Sequence, residues 1–196
     1  MKKIKGLVLV ILVLCSVLGC DKEGGHVLQE TTQEYTLEQA KSEKCLVHEN
    51  GAVTYGKEYW SQFVTDTKKG EPKEIKLVSY YTLEDKVQYD AEFYESIKDE
   101  YPQLFVNDLK FNGTEYIYYD NSDGQVRVKK YKYLMKFEGK EDEVNHDLYD
   151  SYIRYVLTND NTLTLEAIVK SWLSSTWEDH NIECCCVYTE YIKVEK

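Results

Sequence analysis

Proline and glycine are sparse in this chain, at two and ten of 196 residues. Collagen-like, polyproline and Gly/Pro-rich disordered chains are excluded, because those residues dominate their composition. Positive charge is also short: Lys and Arg total 24 against 35 Asp and Glu, a formal charge of −11. A body of that sign is repelled by phosphate backbones and anionic head groups. Nucleic acid is disfavoured as a partner, and so is membrane adhesion through a basic patch. The apolar run from Gly6 to Gly19 falls short of the about 20 residues a membrane-spanning helix needs, and Asp21, Lys22 and Glu23 follow at once. There is no Gly-x-Ser-x-Gly elbow, His-Glu-x-x-His pair, Ser-x-x-Lys motif or phosphate-cradling glycine loop. No catalytic residue and no cofactor is therefore expected.

What is present begins with the leader. Lys2, Lys3 and Lys5 precede an apolar stretch from Leu7 to Leu18, and Gly19 stands just before Cys20. That is the layout of a secretory signal peptide. The ending Val17-Leu18-Gly19-Cys20 resembles the lipobox of bacterial lipoproteins, which implies a diacylglyceryl group on Cys20. Two acyl chains matter, since one gives only marginal, reversible attachment. The expectation is a lipid-anchored protein on the extracytoplasmic face of the cell membrane. Residues 1–19 are its signal peptide, 20–35 the lipidated cysteine and a flexible tether, and 36–196 a single globular domain. Loss of residues 1–19 removes three lysines and no acid, moving the charge from −11 to −14.

Eighteen tyrosines give the remainder a sheet-leaning composition. Thr36 with Gln39 forms a capping-box pattern, so a short helix is predicted over 37–44. A strand from Cys45 to His48 ends at the turn Asn50-Gly51. Tyr59, Trp60, Phe63 and Val64 form one stripe of a helix from Lys57 to Lys69, stopped by Gly70. A strand follows over 74–83. Asp90 caps a helix from Ala91 to Asp99 with Phe93, Tyr94 and Ile97 inward, and Pro102 forbids its continuation. Leu104 to Phe111 and Thr114 to Tyr119 flank Asn112-Gly113, a strong hairpin signal. Asp123-Gly124 makes another turn. The segment from Gln125 to Phe137 reads as one long strand with a bulge between Val128 and Tyr131. A charged loop over 139–147, a strand over 149–157, a helix with Leu165, Ile168, Val169, Trp172 and Leu173 behind Thr164, and a strand from Cys184 to Val194 complete the chain. Tight turns make consecutive strands antiparallel, and amphipathic helices need a sheet to cover. The fold class is α+β: a mainly antiparallel sheet with two or three helices on one face.

Residues 47 to 120 are similar to an uncharacterised family of Gram-positive lipoproteins, domain-of-unknown-function family 4362. The matching features are Asn50-Gly51 before a helix, Phe63, Lys69-Gly70, Ile75 and Val78. They continue through Tyr81-Thr82-Leu83-Glu84 and the hairpin Phe111-Asn112-Gly113 leading to Tyr118-Tyr119-Asp120. Asp85 stands where the family tends to have glycine, and an inserted helix near Ala91 to Asp99 separates the two halves. The resemblance implies a lipoprotein domain with no assigned activity.

Two groups of residues are candidates for chemistry. Cys45, Cys184, Cys185 and Cys186 remain after lipidation of Cys20. In an exported domain, Cys45 can bridge to one of the last three, or all four can stay reduced and buried. With His48 and His180 they also make a candidate metal set, Cys45-x-x-His48 and His180-x-x-x-Cys184, of a type zinc accepts. His26 and His146 fall in the tether and the charged loop. The second group is tyrosine. Tyr116, Tyr118, Tyr131, Tyr133, Tyr188 and Tyr191 fall on neighbouring strands, where exposed rings can stack on a partner, or where they simply fill the sheet. The first functional expectation is a non-enzymatic binding module that contacts a protein, a wall polymer or a small ligand. An envelope enzyme or metal-dependent protein with an acidic cleft is the alternative, and a purely structural surface protein a third. A pocket of convergent polar groups separates the enzyme from the flat aromatic face of a binder.

Overall fold

Thr36 and Gln39 form a reciprocal cap. Its hydroxyl accepts from the Gln39 N–H at 3.2 Å, while Gln39 Oε1 accepts from the Thr36 N–H at 2.8 Å. The computed structural model describes residues 35–121, 124–140, 149–174 and 182–193. Residues 20–34 with Cys20 and His26, and also His146, His180, Asp123, most of the charged loop and Val194, lie outside the described residues, whereas Tyr35 of the expected tether is described.

Among the described residues there are nine strands and four α-helices. The cap starts α1 (Leu37–Ser42). Strands β1 (Cys45–Glu49) and β2 (Ala52–Tyr55) form a hairpin on Asn50-Gly51. Both turn residues have positive φ, 49° and 83°, the backbone that a tight two-residue hairpin demands. Helix α2 (Lys57–Lys68) crosses over to β3 (Lys73–Tyr81), which lies parallel to β1. From there β4 (Gln103–Phe111), β5 (Tyr116–Asp120) and β6 (Arg127–Tyr131) add on antiparallel, giving the order β2-β1-β3-β4-β5-β6. Strands β7 (Tyr133–Lys140), β8 (Ser151–Thr158) and β9 (Cys184–Ile192) make a separate antiparallel sheet, with α4 (Leu165–Leu173) between β8 and β9 in sequence. The class is α+β, and most pairings are antiparallel.

Alternation along the strands gives the six-stranded sheet two apolar faces. On one, Leu46, Leu77, Leu109 and Tyr116 pack with Trp60 and Phe63 of α2 and with Leu157, Val187 and Tyr188 of the second sheet. On the other, Cys45, Val47 and Val78 are covered by Ala40 of α1, with Tyr35 and Leu37 beside it. Helices α1 and α2 therefore lie on opposite faces rather than on one. Much of the covering is done by the second sheet.

Three further expectations are corrected. The long strand from Gln125 to Phe137 is two strands in different sheets, broken at Lys132 rather than bulged. Asn159 makes the break possible: its Oδ1 accepts from the Lys132 N–H at 3.1 Å and its Nδ2 donates to the Lys130 carbonyl at 3.2 Å. These bonds replace ladder partners lost where the chain changes sheets. Helix α3 (Ala91–Ile97) buries no residue, and Phe93 is 54 % exposed. Its aromatic side chains gather locally around Tyr89, and Glu95 joins Lys86 and Lys98 in an exposed ion cluster. The apolar stripe of α4 also stops short, with Ile168 fully buried but Trp172 and Leu173 exposed.

Gly56 decides how α2 meets β1. Its φ is +81°, and a Cβ there would lie 1.8 Å from the Cys45 carbonyl oxygen, which is backbone and has no rotamer to yield. Gly51 shares the positive φ but has open space around it. Gly56→Ala is expected to lose about 3 kcal/mol or more, from left-handed strain plus the clash, while Gly51→Ala loses about 1–2 kcal/mol from strain alone. Urea unfolding of the two variants checks this, and equal losses would contradict the close approach.

Candidate functional site

The parallel pairing of β1 with β3 sets His48 beside Ser79 and Leu46 beside Leu77. Across β3, Leu77 pairs with Asn107, and Tyr118 follows two strands over, opposite Leu109. Side chains on this face turn toward the second sheet, where β9 carries a bulge. Tyr155 pairs with Tyr188 and Val156 with Cys186, leaving Val187 as the extra residue. A bulge re-aims side chains. Here it lets consecutive residues, Val187 and Tyr188, both turn into the core.

Between β9 and the six-stranded sheet lies a cavity of about 180 Å³, partly open to solvent. Its polar lining comes from His48, Ser79, Asn107, Tyr118, Cys186 and Thr189, and its apolar lining includes Leu77 and Val187. Among the described residues, no Asp, Glu, Lys or Arg lines it. The His48 ring meets Tyr188 edge-on, with centroids 6.2 Å apart at 75°. Burial pushes its imidazole down to about 4, so it is neutral at physiological pH. Asn107 Oδ1 accepts from the Asn121 N–H at 2.9 Å, which leaves the amide hydrogens for another acceptor. Cys186 Sγ lies 3.4 Å from Thr189 Oγ1.

Beneath the cavity the polar groups are already committed. Tyr188 donates to Glu190 Oε2 at 2.6 Å, and Glu190 is paired with Lys57 at the start of α2. Burial raises the Tyr118 hydroxyl and pushes the Cys185 thiol up to about 12.

The cysteine and histidine candidates are not brought together as expected. Cys45 lies on the α1 face, its thiol donating to the Ala40 carbonyl, whereas Cys185 packs against the core on the opposite face. The sheet stands between them, and all four described cysteines are free thiols, the reduced state of the two alternatives the sequence leaves open. Cys45 and His48 likewise turn to opposite faces, so these two do not meet at one metal site; His180 lies outside the described residues. Among the described residues no cluster of three or more His, Cys, Asp and Glu suits a metal ion. The new association is His48 with Cys186, on the cavity wall.

Most of the candidate tyrosines fill the sheet, the second of the two roles open to them. Tyr116, Tyr118, Tyr131 and Tyr188 are core residues, each under one-tenth exposed. Only Tyr133 and Tyr191 of that set are exposed, and they sit on β7 and β9, the two edges of the smaller sheet. Ser79, Asn107 and Thr189 carried no sequence signal, being isolated small polar residues in apolar strands. The available clue was period-two alternation, which places Leu77, Ser79 and Tyr81 on one side.

No protein-family model, characterised protein or solved structure matches this chain. Several residues singled out in segment 47–120 hold structure: Asn50-Gly51 turns the first hairpin, Phe63 fills the core, and Asn112 caps the β4–β5 hairpin by accepting from the Thr114 and Glu115 N–H groups.

Iodoacetamide is expected to label Cys186 in the native protein, because that thiol is the exposed one, and to reach Cys45 and Cys185 only after unfolding. Peptide mass mapping reads the order, and a recovered Cys45 disulfide would overturn the assignment. His48 makes stability depend on pH. The unfolded imidazole takes up a proton near 6.5 and the folded one only near 4, so stability rises with pH across that window. On acidification from pH 6.5 to 4 His48 should withdraw about 2–3 kcal/mol. Denaturant midpoints across the window should flatten in His48→Asn, and an unchanged slope would contradict the burial.

Proposed function

We propose that this chain is a lipid-anchored binding module, tethered through diacylglyceryl-Cys20 to the extracytoplasmic face of the membrane and taking a small ligand in the cavity beside β9. The leader pattern supports the anchor. The cavity carries the binding reading: it gathers hydrogen-bonding side chains from β1, β3, β4, β5 and β9 around a space no described side chain fills. Convergence of a few polar groups on one concave site is the usual form of a ligand pocket.

The lining favours binding over the acidic-cleft enzyme. General acid–base work needs a titratable group poised near the operating pH. The cavity holds no carboxylate, and its histidine is pushed to about 4. Nor does the aromatic-platform version of a binder fit, since four of its six tyrosines are enclosed. The partner is then a small molecule rather than a protein or wall polymer laid across a flat face.

Gentle extraction of the native protein from its membranes, followed by native mass spectrometry, tests the reading. A bound small molecule is expected on the wild-type chain and not on Ser79→Phe, which fills the cavity. The same adduct on both, or none on either, would contradict it. Cys20→Ser should move the protein out of the membrane fraction and abolish the diacylglyceryl mass.

A further inference from the structure

We propose that the cavity takes one uncharged, hydroxylated six-membered ring, a neutral hexopyranose in size and chemistry. The inference rests on the cavity being the ligand site and names the class of molecule it admits.

Charge comes first. Among the described residues, no carboxylate, ammonium or guanidinium lines the cavity. A charged ligand would give up hydration with nothing of opposite sign to meet it, a strongly unfavourable exchange. His48 does not supply a positive charge, since burial keeps its ring neutral.

Polarity comes next. Ser79 and Thr189 contribute hydroxyls, each able to donate and accept. The Asn107 carbonyl is occupied by Asn121, so that amide offers hydrogens. Neutral His48 has one donor and one acceptor nitrogen, and no described side chain bonds either. A purely apolar ring would leave these groups without partners once water was expelled, which is the costly case for buried polar atoms. A hydroxylated ring meets donors with acceptors and acceptors with donors. Its C–H faces have Leu77 and Val187 to lie against.

A cavity of roughly 150 Å³ holds one benzene ring, so about 180 Å³ seats a single substituted ring.

The test uses the full chain in a phosphocholine detergent, which avoids sugar headgroups. Methyl glucopyranoside, methyl galactopyranoside and myo-inositol are the neutral hydroxylated probes. Glucuronate and glucosamine are charged rings of similar shape, and toluene is the apolar ring. Chemical shifts of the His48 ring and the Asn107 side chain report occupancy. At least one neutral probe should saturate these shifts, with glucuronate and glucosamine at least tenfold weaker and toluene without effect. Ser79→Ala should weaken that probe at least fivefold without moving the thermal midpoint. Equal or tighter binding of a charged ring, or saturation by toluene alone, would overturn the ligand class while leaving the cavity a ligand site. No response to any probe would overturn the class as well, and the adduct experiment on the extracted protein then decides separately whether the cavity binds anything.

Discussion

Trp60 is the piece that makes two sheets into one molecule. It projects from α2, which belongs by sequence to the β2–β3 crossover, yet its indole stacks on Tyr188 of β9 with centroids 5.2 Å apart at 12°. Phe63 stacks beside it at 5.6 Å, and Tyr155 of β8 meets it edge-on at 5.2 Å. These are geometries that aromatic pairs prefer, each worth about 0.5–1.5 kcal/mol beyond area burial. The indole N–H is buried without a partner. An unsatisfied donor costs about 1–3 kcal/mol, so the packing of this cluster must outweigh it. The Lys57–Glu190–Tyr188 chain carries the same junction outward to solvent.

The cavity follows from that junction. Bulky rings hold the sheets apart around Trp60, and beyond them the facing strands carry shorter residues, Ser79, Cys186 and Thr189, with Gly51 at one edge. His48 lies at the boundary, one edge against Tyr188 and the rest toward the space. The same packing explains its neutral ring: partial enclosure without a carboxylate nearby disfavours the charged form.

Much of the local structure was legible because local chemistry settles it. Thr36, Asp90 and Thr164 each accept backbone N–H groups at the helix starts they were read to mark. Both Asn-Gly pairs turn hairpins. What escaped depends on residues far away in sequence. The break at Lys132 is completed by Asn159, and nothing near Lys132 announces it. Strand β2 is four residues long and half exposed, too short for a period to show. Alternation says that Tyr116 and Tyr118 share a face but not whether something covers it; the second sheet does. For the same reason the site was only partly readable. His48 and Cys186 were singled out for the wrong partners, and the bulge at Val187 that brings β9 to the cavity depends on the pairing of β8 with β9.

The central claim is that both sheets share one cooperative core through Trp60. Native-state amide hydrogen exchange on the full chain tests it most directly. Buried amides of β3 and β4, such as Val78 and Leu109, should open with the same free energy as those of β8 and β9, such as Leu157 and Val187. In Trp60→Leu the two sets should separate. If the β7–β9 amides already exchange through a much cheaper opening in the wild-type protein, the sheets are independent and the account fails.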